Sequence, residues 1–163
     1  LLDEGFIPPH LEGSFTGITS DLMDLIEPLF ADAEYIRIHG DCHTANVLHP
    51  DDGIMLIDFD DMAMGPPVQD LWMLLPDHVW DARHEVNLVI EGYEDFRPFD
   101  HQSLRLIEPL RAMRILYFDA WRSRQVGDPR FEESFPDWGN ENFWQSELNV
   151  LQRQLSLIRE RCL

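Results

Sequence analysis

The sequence predicts a mainly α-helical α+β domain that carries one small β-hairpin. Three observations carry that expectation. Four stretches, residues 68–76, 79–96, 101–126 and 140–161, read as helices. Two short apolar runs, residues 47–49 and 54–59, flank a Pro50-Asp51-Asp52-Gly53 turn and read as a hairpin. Hydrophobic residues make up 44% of the 163 residues, enough to give one compact domain a real core.

Each element has its own signal. Residues 1–17 hold Gly5, Pro8, Pro9, Gly13 and Gly17 among scattered apolar residues, the composition of a linker or of an arm packed on a neighbour. A helix is expected from Thr19 or Ser20, with Leu22, Met23, Leu25, Ile26, Leu29 and Phe30 as its apolar face. Residues 1–34 therefore read as linker and first helix, and 35–163 as the body. Residues 35–39 alternate like a short strand that runs into a polar cluster. Gly65-Pro66-Pro67 closes the irregular region after the hairpin. In the 101–126 stretch Leu104, Ile107, Leu110, Met113 or Arg114, Leu116 or Tyr117, and Ala120 or Trp121 form a stripe at helical period. Residues 131–139 read as a loop rich in aromatics and proline. The last helix gathers Phe143, Leu148, Leu151, Leu155 and Ile158 on one side. No internal repeat interrupts this order.

Charge narrows the function classes. Against 31 acidic residues stand 12 basic ones, all arginine, for a formal net charge of −19. Such a field opposes nonspecific binding to nucleic acid or to anionic lipid. The longest apolar runs, such as 71–75, fall far short of the roughly 20 residues that span a bilayer. Cys42 and Cys162 are far apart and lack a CxxC partner, which fits neither a disulfide framework nor a thiolate zinc site. A reducing, cytoplasmic setting is expected. The first residue is Leu1 and no leader-like segment follows it, so a piece of a longer polypeptide is expected.

The candidate chemistry lies between residues 39 and 61. His39-Gly40-Asp41-Cys42-His43-Thr44-Ala45-Asn46 precedes the hairpin, and Ile57-Asp58-Phe59-Asp60-Asp61 follows it. Asp52 lies midway between Asn46 and Asp58. If the hairpin is symmetric about Asp52, those two residues face each other with Cα atoms about 4.5–5.5 Å apart. An amide oxygen beside a carboxylate suits a hard divalent ion such as Mg²⁺, which keeps several waters. Asp41 is placed to accept a hydrogen bond from a substrate hydroxyl. Phosphoryl transfer asks for these parts: an oxygen-ligated metal and a group that positions the acceptor. Asp51 and Asp52 read as turn residues. Of Asp60 and Asp61, one is expected to cap the following turn and the other to approach the metal. His39 reads as a buried, hydrogen-bonded imidazole and Cys42 as a small side chain under the loop. His43 either holds the loop backbone or touches phosphate.

These motifs carry a resemblance. HGDCHTAN followed by LIDFDD, Gly65-Pro66 and Asp70-Leu71 resembles the signature of the aminoglycoside phosphotransferase/choline kinase superfamily, which has the protein-kinase fold. The likeness runs on through GPPVQDLWMLL, YEDF, IEPLRAMRILYFDAW, DPRF and FPDW, and covers about residues 36–145. It is similar there to bacterial serine/threonine kinases of that superfamily. The resemblance implies the C-terminal lobe of a protein-kinase-like fold. It makes Asp41 the catalytic base, Asn46 and Asp58 ligands of the Mg²⁺ that accompanies ATP, and Asp70 a buried brace of the catalytic loop. It implies ATP and a hydroxyl-bearing acceptor as partners. Because Asp60 stands where protein kinases have the Gly of Asp-Phe-Gly, glycine-dependent flipping of that loop is not implied. Kinases of this fold also need an ATP-covering lobe with a strand-borne lysine. A sequence without lysine cannot supply it, so the N-terminal lobe is expected to be missing from this chain, and the chain alone is expected to be inactive.

Three other readings compete. A metal-dependent hydrolase would use His39, Asp41, His43 and Asp58 as ligands, but these alternate along one extended segment with no further His at helical spacing. A non-catalytic interaction module is opposed by the joint presence of Asp41, Asn46 and Asp58. A small-molecule kinase acting on a sugar, amino alcohol or antibiotic shares every motif above.

Overall fold

A computed structural model describes residues 1–2, 4–51 and 53–162. Its elements are six α-helices and four short strands among the described residues, the mainly helical α+β class expected. The chain forms two compact units, residues 29–108 and a second built from 1–28 with the chain from Pro109 onward.

The second unit is helical. Helix α1 (Pro9–Ile26) pairs with α6 (Glu141–Arg161), and α4 (Ile107–Ser123) and α5 (Pro129–Ser134) complete it. The helix expected from Thr19 or Ser20 in fact begins at Pro9. Proline is well suited to the first turn of a helix, because its missing N–H would be unbonded there anyway. Gly13 and Gly17 then sit inside the helix, at a propensity cost of about 1 kcal/mol each relative to Ala. Packing offsets that cost. Leu11, Phe15, Leu22 and Ile26 are buried, and Phe15 meets Trp144 of α6 edge-on at 5.7 Å. Each such buried side chain contributes about 1.5–3 kcal/mol.

On α6 the buried stripe is Trp144, Leu148, Leu151, Leu155 and Ile158, with Trp144 in place of the expected Phe143. Asn140 caps this helix by accepting from Phe143 N–H at 2.8 Å, and Arg159 and Arg161 sit in its last turn, where the helix dipole favours cations. The stretch 131–139, expected to be a loop, begins as part of α5. Asp128 accepts from Arg130 N–H at 2.8 Å and Pro129 opens that helix.

One buried carboxylate makes this unit sensitive to pH. Asp119 of α4 is 1% exposed; one of its oxygens lies 3.4 Å from Arg122 Nη1, and the other is buried with no hydrogen bond among the described residues. Burial pushes its pKa up from 3.8 to about 7, the nearby Glu147 carboxylate adds to this, and Arg122 opposes it. A carboxyl that holds its proton more tightly when folded favours folding at low pH, and that advantage is lost as pH rises from about 4 to about 7. Asp119→Asn removes the charge, so the variant is expected to show a flatter pH–stability curve. It should also be the more stable protein at about pH 8, by at most roughly 4 kcal/mol. Thermal unfolding across that range checks this; a wild type as stable at high pH as at low would contradict it.

The unit of residues 29–108 holds both sheets. Strand β1 (Ile36–Ile38) pairs antiparallel with β4 (Ala63–Gly65), in the register Ile36 with Gly65 and Ile38 with Ala63. β4 was not expected. Its last residue, Gly65, leaves room for the side chain of Ile38 in β1: a Cβ there would collide with Ile38 Cδ1. Strands β2 (Val47–Leu48) and β3 (Met55–Leu56) form the expected hairpin. Its register is Val47 with Leu56 and Leu48 with Met55, which puts Asn46 opposite Ile57. The expected facing of Asn46 and Asp58 is therefore off by one residue. The turn closes by Gly53 N–H donating to Pro50 O at 3.1 Å, with Gly53 at φ +139°. Asp52, on which the expected symmetry was centred, lies outside the described residues.

Helix α2 (Val68–Trp72) is shorter than expected, and α3 (Arg83–Glu94) starts later. Residues 101–106 are a 3₁₀ segment capped by Asp100 before α4 begins. Glu108, fully buried, bonds His78 Nδ1 at 2.9 Å.

Candidate active site

The loop between β1 and β2 is held from beneath by one side chain. Asp70 of α2 accepts from the amides of His39 at 2.7 Å and Gly40 at 2.9 Å. Two N–H groups on one carboxylate make a charge-assisted bracket, and α2 fixes its position. Beside it, Gln69 Nε2 donates to Gly40 O at 3.1 Å, and Trp72 Nε1 donates to Gln69 Oε1 at 3.0 Å. Gln69 and Trp72 were not singled out in the sequence. Both flank Asp70 in the short α2, and no local pattern in the sequence marks a bond that reaches back 29 residues. Gly40 stands at φ +85°, and a Cβ there would collide with the carbonyl of Asp61. Only glycine fits both the backbone and the space.

His39 is 6% exposed and both ring nitrogens are engaged. Nε2 lies 2.9 Å from Ile57 O, a carbonyl that only accepts, so Nε2 carries the proton. Nδ1 accepts from Asp41 N–H at 3.3 Å. Phe59 packs on the ring with centroids 4.6 Å apart. The expected structural imidazole is what the fold contains, and it ties the loop to the segment that carries Asp58. A metal site built on His39 would have to break one of these bonds, which weighs against the hydrolase reading.

The carboxylate of Asp41, 18% exposed at its side chain, is oriented by two neighbours. Asn46 Nδ2 donates to Asp41 O at 3.0 Å and reaches Asp41 Oδ2 at 3.4 Å. His43 Nδ1 accepts from Ala45 N–H at 3.2 Å, which caps the 3₁₀ turn Thr44–Asn46. That leaves the proton on Nε2, which sits 3.4 Å from Asp41 Oδ2. His43 thus holds the loop backbone and the Asp41 carboxylate together. Asn46 is buried, and because its amide nitrogen is spent on Asp41, its oxygen is the end available to a cation.

Asp58 is exposed and lies directly after the hairpin ladder, where Ile57 N–H donates to Asn46 O at 3.1 Å. It has φ +63°, the only non-glycine residue in the left-handed region among those described. Both of its neighbours are anchored, Ile57 to Asn46 and His39, and Phe59 to His39. Asp60 and Asp61 are the middle residues of a turn closed by Met62 N–H on Phe59 O at 3.1 Å, and both are exposed. Asp51 is exposed as well. Cys42 is buried. Burial pushes its thiol pKa up, and the Asp70 and Asp41 carboxylates push the same way, which disfavours the thiolate. Among the described residues, no group of three or more His, Cys, Asp or Glu side chains is arranged to hold a metal ion.

Comparison with known proteins places the chain in a family. Residues 17–107 match the phosphotransferase enzyme family. Over 159 residues the chain is 38% identical to the Stress response kinase A of Salmonella paratyphi A and 39% identical to that of Escherichia coli K12. It is also 38% identical to the Serine/threonine protein kinase RdoA of Salmonella typhimurium. Each of these matches covers 97% of this chain and 48% of the relative, so the chain spans about half the length of the curated relatives it matches.

Proposed function

Because this chain belongs to the phosphotransferase enzyme family, we propose that it is the catalytic lobe of a cytoplasmic kinase that moves the γ-phosphate of ATP to a hydroxyl. Relatives are named as serine/threonine and stress response kinases, and the acceptor we propose is a serine or threonine of a protein. The observation that carries this reading is the Asp41 carboxylate, fixed by His43 and Asn46 within a loop braced by Asp70. A carboxylate held in one orientation accepts the hydrogen bond of an alcohol and aims its oxygen, and it takes the proton as the new bond forms.

The donor set fits Mg²⁺ better than a transition metal. Asn46 supplies an amide oxygen and Asp58 a carboxylate, while the imidazoles of His39 and His43 are both engaged elsewhere. When bound, Mg²⁺ neutralises charge on the phosphates. The protein's own part is to hold Asn46 through Asp41 and to present Asp58 from a fixed turn.

The nucleotide-gripping lobe would be a further segment of polypeptide. Two observations support this. The chain contains no lysine to pair with phosphate. Ile54, Met55 and Met64 are 70%, 53% and 62% exposed on the hairpin and β4, apolar surface of the kind that another protein layer covers. No helix among the described residues is long and apolar enough to cross a membrane.

The test is an assay of Mg²⁺- and ATP-dependent phosphate transfer to protein serine or threonine. The 163 residues alone are expected to show none, and a product extended through the upstream reading frame is expected to show it. Robust transfer by these residues alone would overturn the two-lobe proposal. An extended, folded product that bound Mg²⁺–ATP but phosphorylated only small alcohols would overturn the protein acceptor.

A further inference from the structure

We propose that the cavity at the start of β1 is a docking pocket for an arginine or lysine side chain of a partner polypeptide. The cavity, about 180 Å³, lies wholly within the unit of residues 29–108. Small-molecule sites usually measure roughly 300–1,000 Å³; this one is the size of a single long side chain.

Its lining fits that chemistry. Phe99 and Tyr93 form an aromatic wall, with rings 5.7 Å apart and nearly perpendicular. Such a wall suits the alkyl stem of a long side chain and attracts a cationic head. Asp32, Glu34 and Asp100 supply three carboxylates against the single guanidinium of Arg105. Glu34 is shared with Arg97 at 2.9 Å. Asp100 spends one oxygen on Gln102 N–H at 2.9 Å and keeps the other. Asp32 and Asp100 are therefore the charges that meet an incoming cation. The tyrosine stays a neutral phenol: burial pushes its pKa up, Glu34 and Asp70 add to this, and Arg97 opposes it. A chain of net charge −19 also steers basic partners toward itself.

Docking here is distinct from phosphate transfer, and its test needs no activity. Nitrogen-15-labelled chain is titrated with Nα-acetyl-arginine amide and, separately, with the citrulline analogue, which has the same shape without the charge. The arginine compound is expected to bind with a millimolar Kd, shifting amides near residues 29–34 and 93–106, and the citrulline compound is expected to shift none. Asp32→Asn with Asp100→Asn should weaken binding at least tenfold. Asparagine at 100 keeps the acceptor for Gln102, so the cap survives. If the double variant fails to fold, Asp32→Asn alone, at an exposed turn, is expected to weaken binding severalfold. Equal shifts from the two compounds, shifts confined to other residues, no shifts at all, or unchanged affinity in the folded variant would each overturn the proposal.

Discussion

Replacing Asp41 by Asn is expected to lower the turnover of the complete enzyme by about 10²–10⁴-fold while leaving nucleotide affinity nearly unchanged. The substitution keeps size and shape. The amide can still meet His43 Nε2, which sits 3.4 Å from the native carboxylate, and the Asn46 contact to the backbone carbonyl of residue 41 is untouched. The loop should therefore stay in place, braced by Asp70 on the two preceding amides. What is lost is a group able to accept the acceptor's proton. Steady-state turnover and a separate nucleotide-binding measurement distinguish this from a general collapse of the site. Turnover within a few-fold of wild type would remove Asp41 from the role of base. A parallel loss of nucleotide binding would mean that its contact with Asn46 matters more than its basicity.

Much of the site was legible because its signals are local. The Asp41 to Asn46 span contains its own ties, with His43 capping the turn that ends in Asn46, and each bond joins residues no more than five apart. The apolar residues around His39 marked it as buried, and its two ring bonds show why an imidazole is tolerated there. The family resemblance drawn from HGDCHTAN and LIDFDD is borne out by the match over residues 17–107. Gln69 was harder to see. Its bond to Gly40 O spans 29 residues, and no local pattern announces a tie of that length.

The misread parts of the fold have physical causes. In residues 8–17 two prolines and two glycines outweighed the apolar residues, yet Leu11 and Phe15 are buried in a helix whose partner, α6, lies more than a hundred residues later. Propensity there yields to packing. α5 was missed although Asp128-Pro129 is a sound start signal, because the aromatic residues after it read as loop. β4 has no alternation to read, since Ala63 and Met64 are exposed and only Gly65 is buried; β1 supplies the partner that makes it a strand.

The hairpin register leads to the second large effect, since Asp58 lies one residue beyond the position that symmetry assigned it. The ladder ends with Ile57 on Asn46, and Asp58 then takes φ +63°, turning the chain out of the strand. A left-handed residue with a side chain costs about 1–2 kcal/mol, and Asp and Asn are the residues that bear it best. A purely local reading would make Asp58 a turn residue, which Asn should replace without harm. The proposed metal site makes a different demand, because Asn lacks the charge that holds Mg²⁺. Asp58→Asn is therefore expected to leave the melting temperature unchanged or slightly raised, while Mg²⁺–nucleotide binding and turnover of the complete enzyme fall below detection. Asp58→Ala should lose both binding and some stability, because Ala resists the left-handed backbone. Thermal unfolding alongside Mn²⁺ titration, read by relaxation of the amides of residues 46 and 57, separates the two demands. If the Asn variant melted like wild type and still bound Mn²⁺–nucleotide normally, Asp58 would be a turn residue only, and the metal would have to be held elsewhere.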